Sequence, residues 1–207
     1  MLDPASFWLF LAGALVLNVT PGPDMAFTLA SASRAGARVG LAAAAGVGVG
    51  SLVWALLTAV GLAALLEASQ AAYAVLRMVG GLYLLYLAWR AFKTRHEFKD
   101  ADGARGLTAA FRSGLITNLF NPKVGLFFLA FLPGFTNEAA GPVWLQILAL
   151  GALFSVSGTL VLAGVALGAG AVRGRLANSA RLRSMFGAIA AAMFGALGAR
   201  LLIIDGR

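Results

Sequence analysis

Asn18-Val19-Thr20-Pro21-Gly22-Pro23-Asp24 is the stretch whose reading decides the fold. It interrupts an apolar run that extends from Phe7 to about Ala32. Proline lacks the backbone donor and its ring clashes with the preceding turn, so Pro21-Gly22-Pro23 breaks or unwinds a helix here. An acidic side chain follows at once. Inside a bilayer, unwound backbone survives only where protein or a water-filled cavity satisfies it, and a buried carboxylate needs a partner. Asn118-Leu119-Phe120-Asn121-Pro122-Lys123 repeats the device inside another apolar run: an asparagine, a helix breaker and then a charge, now basic. The two broken segments are read as the working centre. Their candidate residues are Asn18, Pro21, Gly22, Pro23 and Asp24 from the first, and Asn118, Asn121, Pro122 and Lys123 from the second.

Composition sets the class around these breaks. Of 207 residues, 60% are hydrophobic and 12% charged, and the mean hydropathy is +0.88, outside the range of soluble domains. The fold class is an all-α polytopic membrane protein, with residues 1–207 forming a single transmembrane domain. Cysteine is absent, which excludes a disulfide framework, a thiolate metal site and a redox dithiol. The formal net charge of +8 is read as basic cytoplasmic loops. Nucleic-acid binding is set aside because no basic soluble module is present. His96 is the sole histidine and sits among solvated charges, where it cannot build a zinc or copper site alone. Neither metal nor cofactor is expected.

Six candidate spans follow from the apolar runs. Met1 to Ser6 carries Asp3 but no Lys or Arg, so it lacks the basic start of a signal peptide and the first run is expected to be retained. Segment two runs from about Gly40 to Leu66, long enough to span with tilt. Its Gly36/Gly40 and Gly46/Gly50 pairs have the spacing that lets helices approach closely. Gly46-Val47-Gly48-Val49-Gly50 is a packing feature rather than a dinucleotide site, since no strand precedes it. Segment three runs from near Ala72 to Phe92, and Lys93 to about Ala109 is the clearly soluble stretch. Segment four extends from near Arg112 to Phe135, segment five from about Pro142 to Ala171, and segment six from about Met185 to Ile204. Ser155, Ser157 and Thr159 in segment five are expected to hydrogen-bond to their own helix or a neighbour.

Basic residues concentrate after segments one, three and five, whereas Glu67 and Glu138 follow segments two and four. By the positive-inside rule the basic loops are cytoplasmic, which places both termini outside the cytoplasm. Arg77 is the exception to the pattern, and a re-entrant segment one is the alternative to a spanning one. The chain also reads as two copies of a three-segment unit, about 1–92 and 111–207, joined by a cytoplasmic loop at about 93–110. Each copy starts with a broken segment and continues with a glycine-rich one, Gly46/Gly50 and then Gly164/Gly168. Each third segment follows a Leu-Arg pair, Leu76-Arg77 or Leu182-Arg183, and carries a late arginine, Arg90 or Arg200. An odd number of spans inverts the second copy. Inverted repeats with discontinuous helices point to a secondary transporter whose site lies at the repeat interface.

Pro21-Gly22-Pro23-Asp24, Arg34-Ala35-Gly36 with Gly40-Leu41-Ala42-Ala43-Ala44, and Gly81-Leu82-Tyr83-Leu84-Leu85-Tyr86-Leu87 resemble the LysE/RhtB amino-acid exporter superfamily. So does Gly114-Leu115-Ile116-Thr117-Asn118-Leu119-Phe120-Asn121-Pro122-Lys123, continuing to Phe127-Phe128-Leu129-Ala130-Phe131-Leu132-Pro133. The resemblance implies efflux of amino acids or close derivatives across a bacterial inner membrane. Pro-Gly-Pro is more similar to the homoserine/threonine (RhtB) branch than to the lysine/arginine branch. Many relatives carry an acid near the end of the glycine-rich stretch of segment two, where this chain has Ser51.

The reading from these observations is a secondary active exporter of small neutral amino acids of the homoserine, threonine or leucine kind, working by proton antiport. Its partners are the amino acid, protons and the bilayer; a homo-oligomer is left open. The alternatives are a passive channel or facilitator for small polar solutes, which could not drive uphill transport, and an exporter of basic amino acids. A membrane enzyme lacks its paired cysteines or its histidine or acidic cluster, and divalent-metal efflux has too few intramembrane acids and no cysteine for a soft metal. Each marked residue also has a plain structural role: Pro21 and Pro23 as a kink, Asp24 as a helix cap, Lys123 as a side chain snorkelling to the interface.

Overall fold

A computed structural model describes residues 4–93 and 103–169, together with scattered positions between 188 and 202. Segment six as a whole, the arginine-rich loop before it and His96 lie outside the described residues. So do the side chains of Glu67, Arg77 and Arg90. The described residues are helical throughout, without strands: α1 (Pro4–Val19), α2 (Pro23–Ala35), α3 (Ala37–Ala68), α4 (Gln70–Lys93), α5 (Leu107–Leu119), α6 (Pro122–Leu126) and α7 (Val143–Leu167). Between α6 and α7 the chain tightens and loosens in short turns, a π-helical one at Phe127–Phe131 and 3₁₀ turns at Leu132–Phe135 and Glu138–Ala140.

Both breaks fall where proline removes a donor. The axis bends by 48° between α1 and α2 and by 50° between α5 and the run from Pro122 to Phe135. Among the described residues, α3 and α7 are long and apolar enough to cross a membrane by themselves, and each bent pair adds a span if its halves are taken together. Within α4, Met78–Trp89 is a continuous apolar stretch. Helix α5 starts at Leu107, ahead of the expected start at Arg112. The described tail of the loop is not simply solvated: Ala104 N donates to Ser31 Oγ at 3.2 Å, and Gly103 lies against the backbone of Ala30 and Ser31 in α2.

Helix α3 is the axis of the bundle. Against α7 it runs antiparallel, with Gly40 on Ala166, Gly48 on Thr159, and Ala55 on Gly151. Against α5 it runs parallel, with Gly46 on the Phe111 carbonyl, Gly50 on Asn118, and Gly114 of α5 on the Ala43 carbonyl. Small residues at these crossings let backbones approach, which supplies the van der Waals contact that drives helix association in lipid. One sequence expectation changes here. Gly36 has φ +89° and an added Cβ there would meet nothing, so it is a turn glycine between α2 and α3 rather than a packing one. On α7 the crossing glycines are Gly151 and Gly158, whereas Gly164 faces open space.

A second core lies to one side of the breaks. Phe10 of α1, Phe127, Phe131 and Phe135 after the second break, and Phe154 of α7 form a continuous set of ring contacts, including a stacked Phe127–Phe154 pair at 4.7 Å. All five are buried.

Candidate functional site

The geometry of the first break follows from its covalent chemistry. In a continuous helix Leu17 O and Val19 O would accept from residues 21 and 23, and both of those are proline. Thr20 closes α1 by donating from its N and its Oγ1 to Val16 O, at 2.9 and 2.6 Å. Gly22 is extended and precedes Pro23, the first residue of α2, with no side-chain cap. Asp24 follows in the first turn of α2 and is buried.

The second break has the same order of parts and one addition. Asn121 caps α6, its Oδ1 accepting from Lys123 N at 3.1 Å, and Pro122 occupies the first helical position, where its missing donor costs nothing. Asn18 and Asn118 are the penultimate residues of α1 and α5, while Asp24 and Lys123 are the second residues of α2 and α6.

Each charge reaches across to the opposite break. Lys123 Nζ donates to Leu17 O at 3.1 Å and to Thr20 O at 3.0 Å, binding the frayed end of α1. Asp24 Oδ2 accepts from Asn118 Nδ2 at 2.9 Å, near the end of α5. The asparagines are exchanged between helices as well. Asn18 Nδ2 donates to Ser157 Oγ (3.1 Å) and Phe154 O (3.3 Å) and lies on Gly158 of α7, while Asn118 lies on Gly50 of α3. Both charges sit where a helix end favours them: the carboxylate at the positive end of α2, the ammonium at the negative end of α1.

These groups meet at a cavity of about 30 Å³, lined in part by Asn18, Thr20, Asp24, Ser51, Asn118 and Lys123. Ser155, Gly158 and Thr159 of α7 and Gly48 of α3 complete its polar wall, and Leu17, Met25, Val47, Val124, Phe154 and Leu162 its apolar one. Asp24 Oδ1, Asn118 Oδ1 and Asn121 Nδ2 are buried without a hydrogen-bond partner. Thr28 and Thr58 Oγ1, away from the cavity lining, are likewise buried without a partner.

Of the residues expected from sequence, Asn18, Asp24, Asn118 and Lys123 converge on the cavity. Pro21, Gly22 and Pro23 shape the link above it, and Asn121 and Pro122 shape the second break from outside its lining. Asp24 is not a helix cap, that place being taken by Gly22, and Lys123 turns inward instead of snorkelling. Thr20, Gly48, Gly158 and the serine and threonine positions Ser51, Ser155 and Thr159 are additions. Ser155 and Thr159 stand one turn apart on a mainly apolar helix, the signal that marks them. Ser155 donates to Gly48 O at 2.8 Å and Ser157 to Phe154 O at 3.0 Å, the two kinds of bond expected of these residues.

Paired broken helices around a charged, half-polar cavity are the arrangement of a membrane protein of the transport class. The chain belongs to the LysE type translocator family, which matches residues 15–205. It is 31% identical over 163 residues to an uncharacterized membrane protein of Pseudomonas aeruginosa, covering 75% of this chain and 76% of that one. It is also 31% identical to a leucine efflux protein of Enterobacter sp. and 30% identical to one of Salmonella choleraesuis, each over 138 residues. Those two matches cover 65% of this chain and 65% of each leucine efflux protein. No solved structure matches the chain.

Proposed function

We propose that the chain exports small neutral amino acids, with leucine-like side chains favoured, across a bacterial inner membrane by proton antiport. The observation that carries this reading is the exchange of charges between the two breaks, with Asp24 and Lys123 in corresponding positions around one cavity. A neutral amino acid presents one ammonium and one carboxylate. Asp24 receives the ammonium on its unpartnered Oδ1, and the third N–H of Lys123 together with the helix-start N–H groups receives the carboxylate. An ionised carboxylate left alone at mid-membrane costs on the order of 3 kcal/mol or more. Asp24 therefore takes up a proton when substrate leaves, which discharges the carboxylate itself for the return step while the Lys123 ammonium stays on the α1 carbonyls. The apolar wall suits an aliphatic side chain, and Lys123 repels a basic one. The names of the leucine efflux relatives agree with this substrate class, and Pro21-Gly22-Pro23 favours the RhtB branch.

The architecture that goes with this function is six spans in two inverted repeats, with the basic loops cytoplasmic and the C-terminus outside. Its support is the matching order of parts in the two breaks and the antiparallel α3–α7 crossing. Uptake of labelled leucine, threonine and homoserine into everted vesicles tests the function. Asp24→Asn and Lys123→Gln, at matched membrane expression, are each expected to lose pH-gradient-driven transport. Unchanged uphill transport with unchanged pH dependence in Asp24→Asn would sink the coupling role. Orientation is read separately in this cysteine-free chain: a cysteine at Asn137 is expected to react with impermeant thiol reagents outside intact cells, and one at Asp100 to be protected.

A further inference from the structure

We infer that Leu17 O and Thr20 O form a cation socket at the end of α1, which Lys123 fills with its own ammonium. The socket exists because Pro21 has no N–H to give Leu17 O, and the end of a helix concentrates partial negative charge of about half an electron. In a water-free environment such carbonyls need a donor or a cation. Nζ of Lys123 supplies both, at 3.1 and 3.0 Å. Gly22 holds the space: a Cβ built there would stand 3.2 Å from Nζ and 3.5 Å from Cε. Asp24 is the other charged residue lining the cavity. One of its oxygens is held by Asn118, so the ammonium is bound by backbone rather than by the carboxylate.

The chemistry of the socket selects its occupant. Hard metal cations take six or more oxygen ligands, and the lysine head has only these two carbonyls within hydrogen-bond reach. Two carbonyls at hydrogen-bond distance suit a group with directed N–H donors, hence a primary ammonium. The first broken segment thus carries a tethered organic cation supplied by the second, and needs no free sodium there. Shortening the side chain leaves a socket that a small primary ammonium ion fits.

The inference concerns the site of the proposed export but is read by binding, so it stands or fails independently of transport. Purified Lys123→Ala is unfolded thermally in methylammonium, tetramethylammonium or sodium chloride at equal ionic strength. Methylammonium is expected to raise its midpoint saturably by about 3 °C. Tetramethylammonium, which has no N–H, and sodium are expected to leave it unchanged. The unsubstituted protein and Lys123→Met, whose side chain fills the space without charge, are expected not to respond to methylammonium. If Lys123→Ala does not survive extraction, it is prepared with methylammonium throughout. Unfolding on removal of the amine then supports the socket, and failure to fold even in its presence overturns it. No saturable shift, or an equal shift with tetramethylammonium, with sodium, in Lys123→Met or in the unsubstituted protein, also overturns it.

Discussion

At the first break α2 begins on Gly22 without a side-chain cap and continues through buried Asp24, Thr28 and Ser31. At the second, Asn121 caps α6 and the chain continues into Phe127, Phe128 and Phe131, packed against Phe10 and Phe154. Spacings of four and three residues put Asp24, Thr28 and Ser31 on one face of α2, and Thr28 Oγ1 is buried without a hydrogen-bond partner. The aromatic side is interlocked, while the polar side retains unmet hydrogen-bonding capacity. Proline chemistry thus places a break, but the residues that follow decide whether that half of the segment is a rigid wall or an adaptable one.

The comparison breaks most completely if the first link is made regular. Replacing Pro21, Gly22 and Pro23 together by alanine restores donors to Leu17 O and Val19 O and removes the helix breakers. It also frees the lysine head from its carbonyls and crowds it with a Cβ at position 22. The expected outcome is a folded, inserted protein with efflux reduced to background, measured in vesicles beside an expression control. Normal efflux would make the motif a kink and nothing more.

A smaller effect is expected on the aromatic side. Phe127 is fully buried and contacts four other rings. Phe127→Ala should cost on the order of 2 kcal/mol, below the usual range for a soluble core, because lipid is as apolar as the bundle and the loss is chiefly one of packing. Chemical denaturation in mixed micelles reads this, and a change below about 0.5 kcal/mol would show the cluster to be loosely held. The smallest effect sharpens the contrast at the caps. Asn121→Ala removes the α6 cap and should lower stability by about 1 kcal/mol. Gly22→Ala removes no side-chain cap, so a loss there reports the displaced lysine head together with alanine's poorer fit at the N-cap. Equal denaturation midpoints for Asn121→Ala and the unsubstituted protein would mean that the cap is dispensable.

Much of this was legible in the sequence for a local reason. Missing N–H groups at Pro21, Pro23 and Pro122 are covalent facts, so the positions of both breaks, the apolar class of the chain and the presence of a charge just after each break could be read without a structure. The glycine crossings of α3 were legible too, since spacing along one helix fixes which residues share a face. Which partner each group takes was decided only by tertiary structure. Lys123 binding the α1 carbonyls, Asp24 meeting Asn118, Gly22 leaving room for an ammonium, and Gly158 rather than Gly164 marking the α7 crossing all join residues far apart in the chain. So does the meeting of Ser51, Ser155 and Thr159 at one cavity. The sequence offers several donors for each orphaned acceptor, and periodicity permits more than one helix register. Packing of α3 between α5 and α7 selects one, because only there do the small residues let backbones close while the freed polar groups find partners.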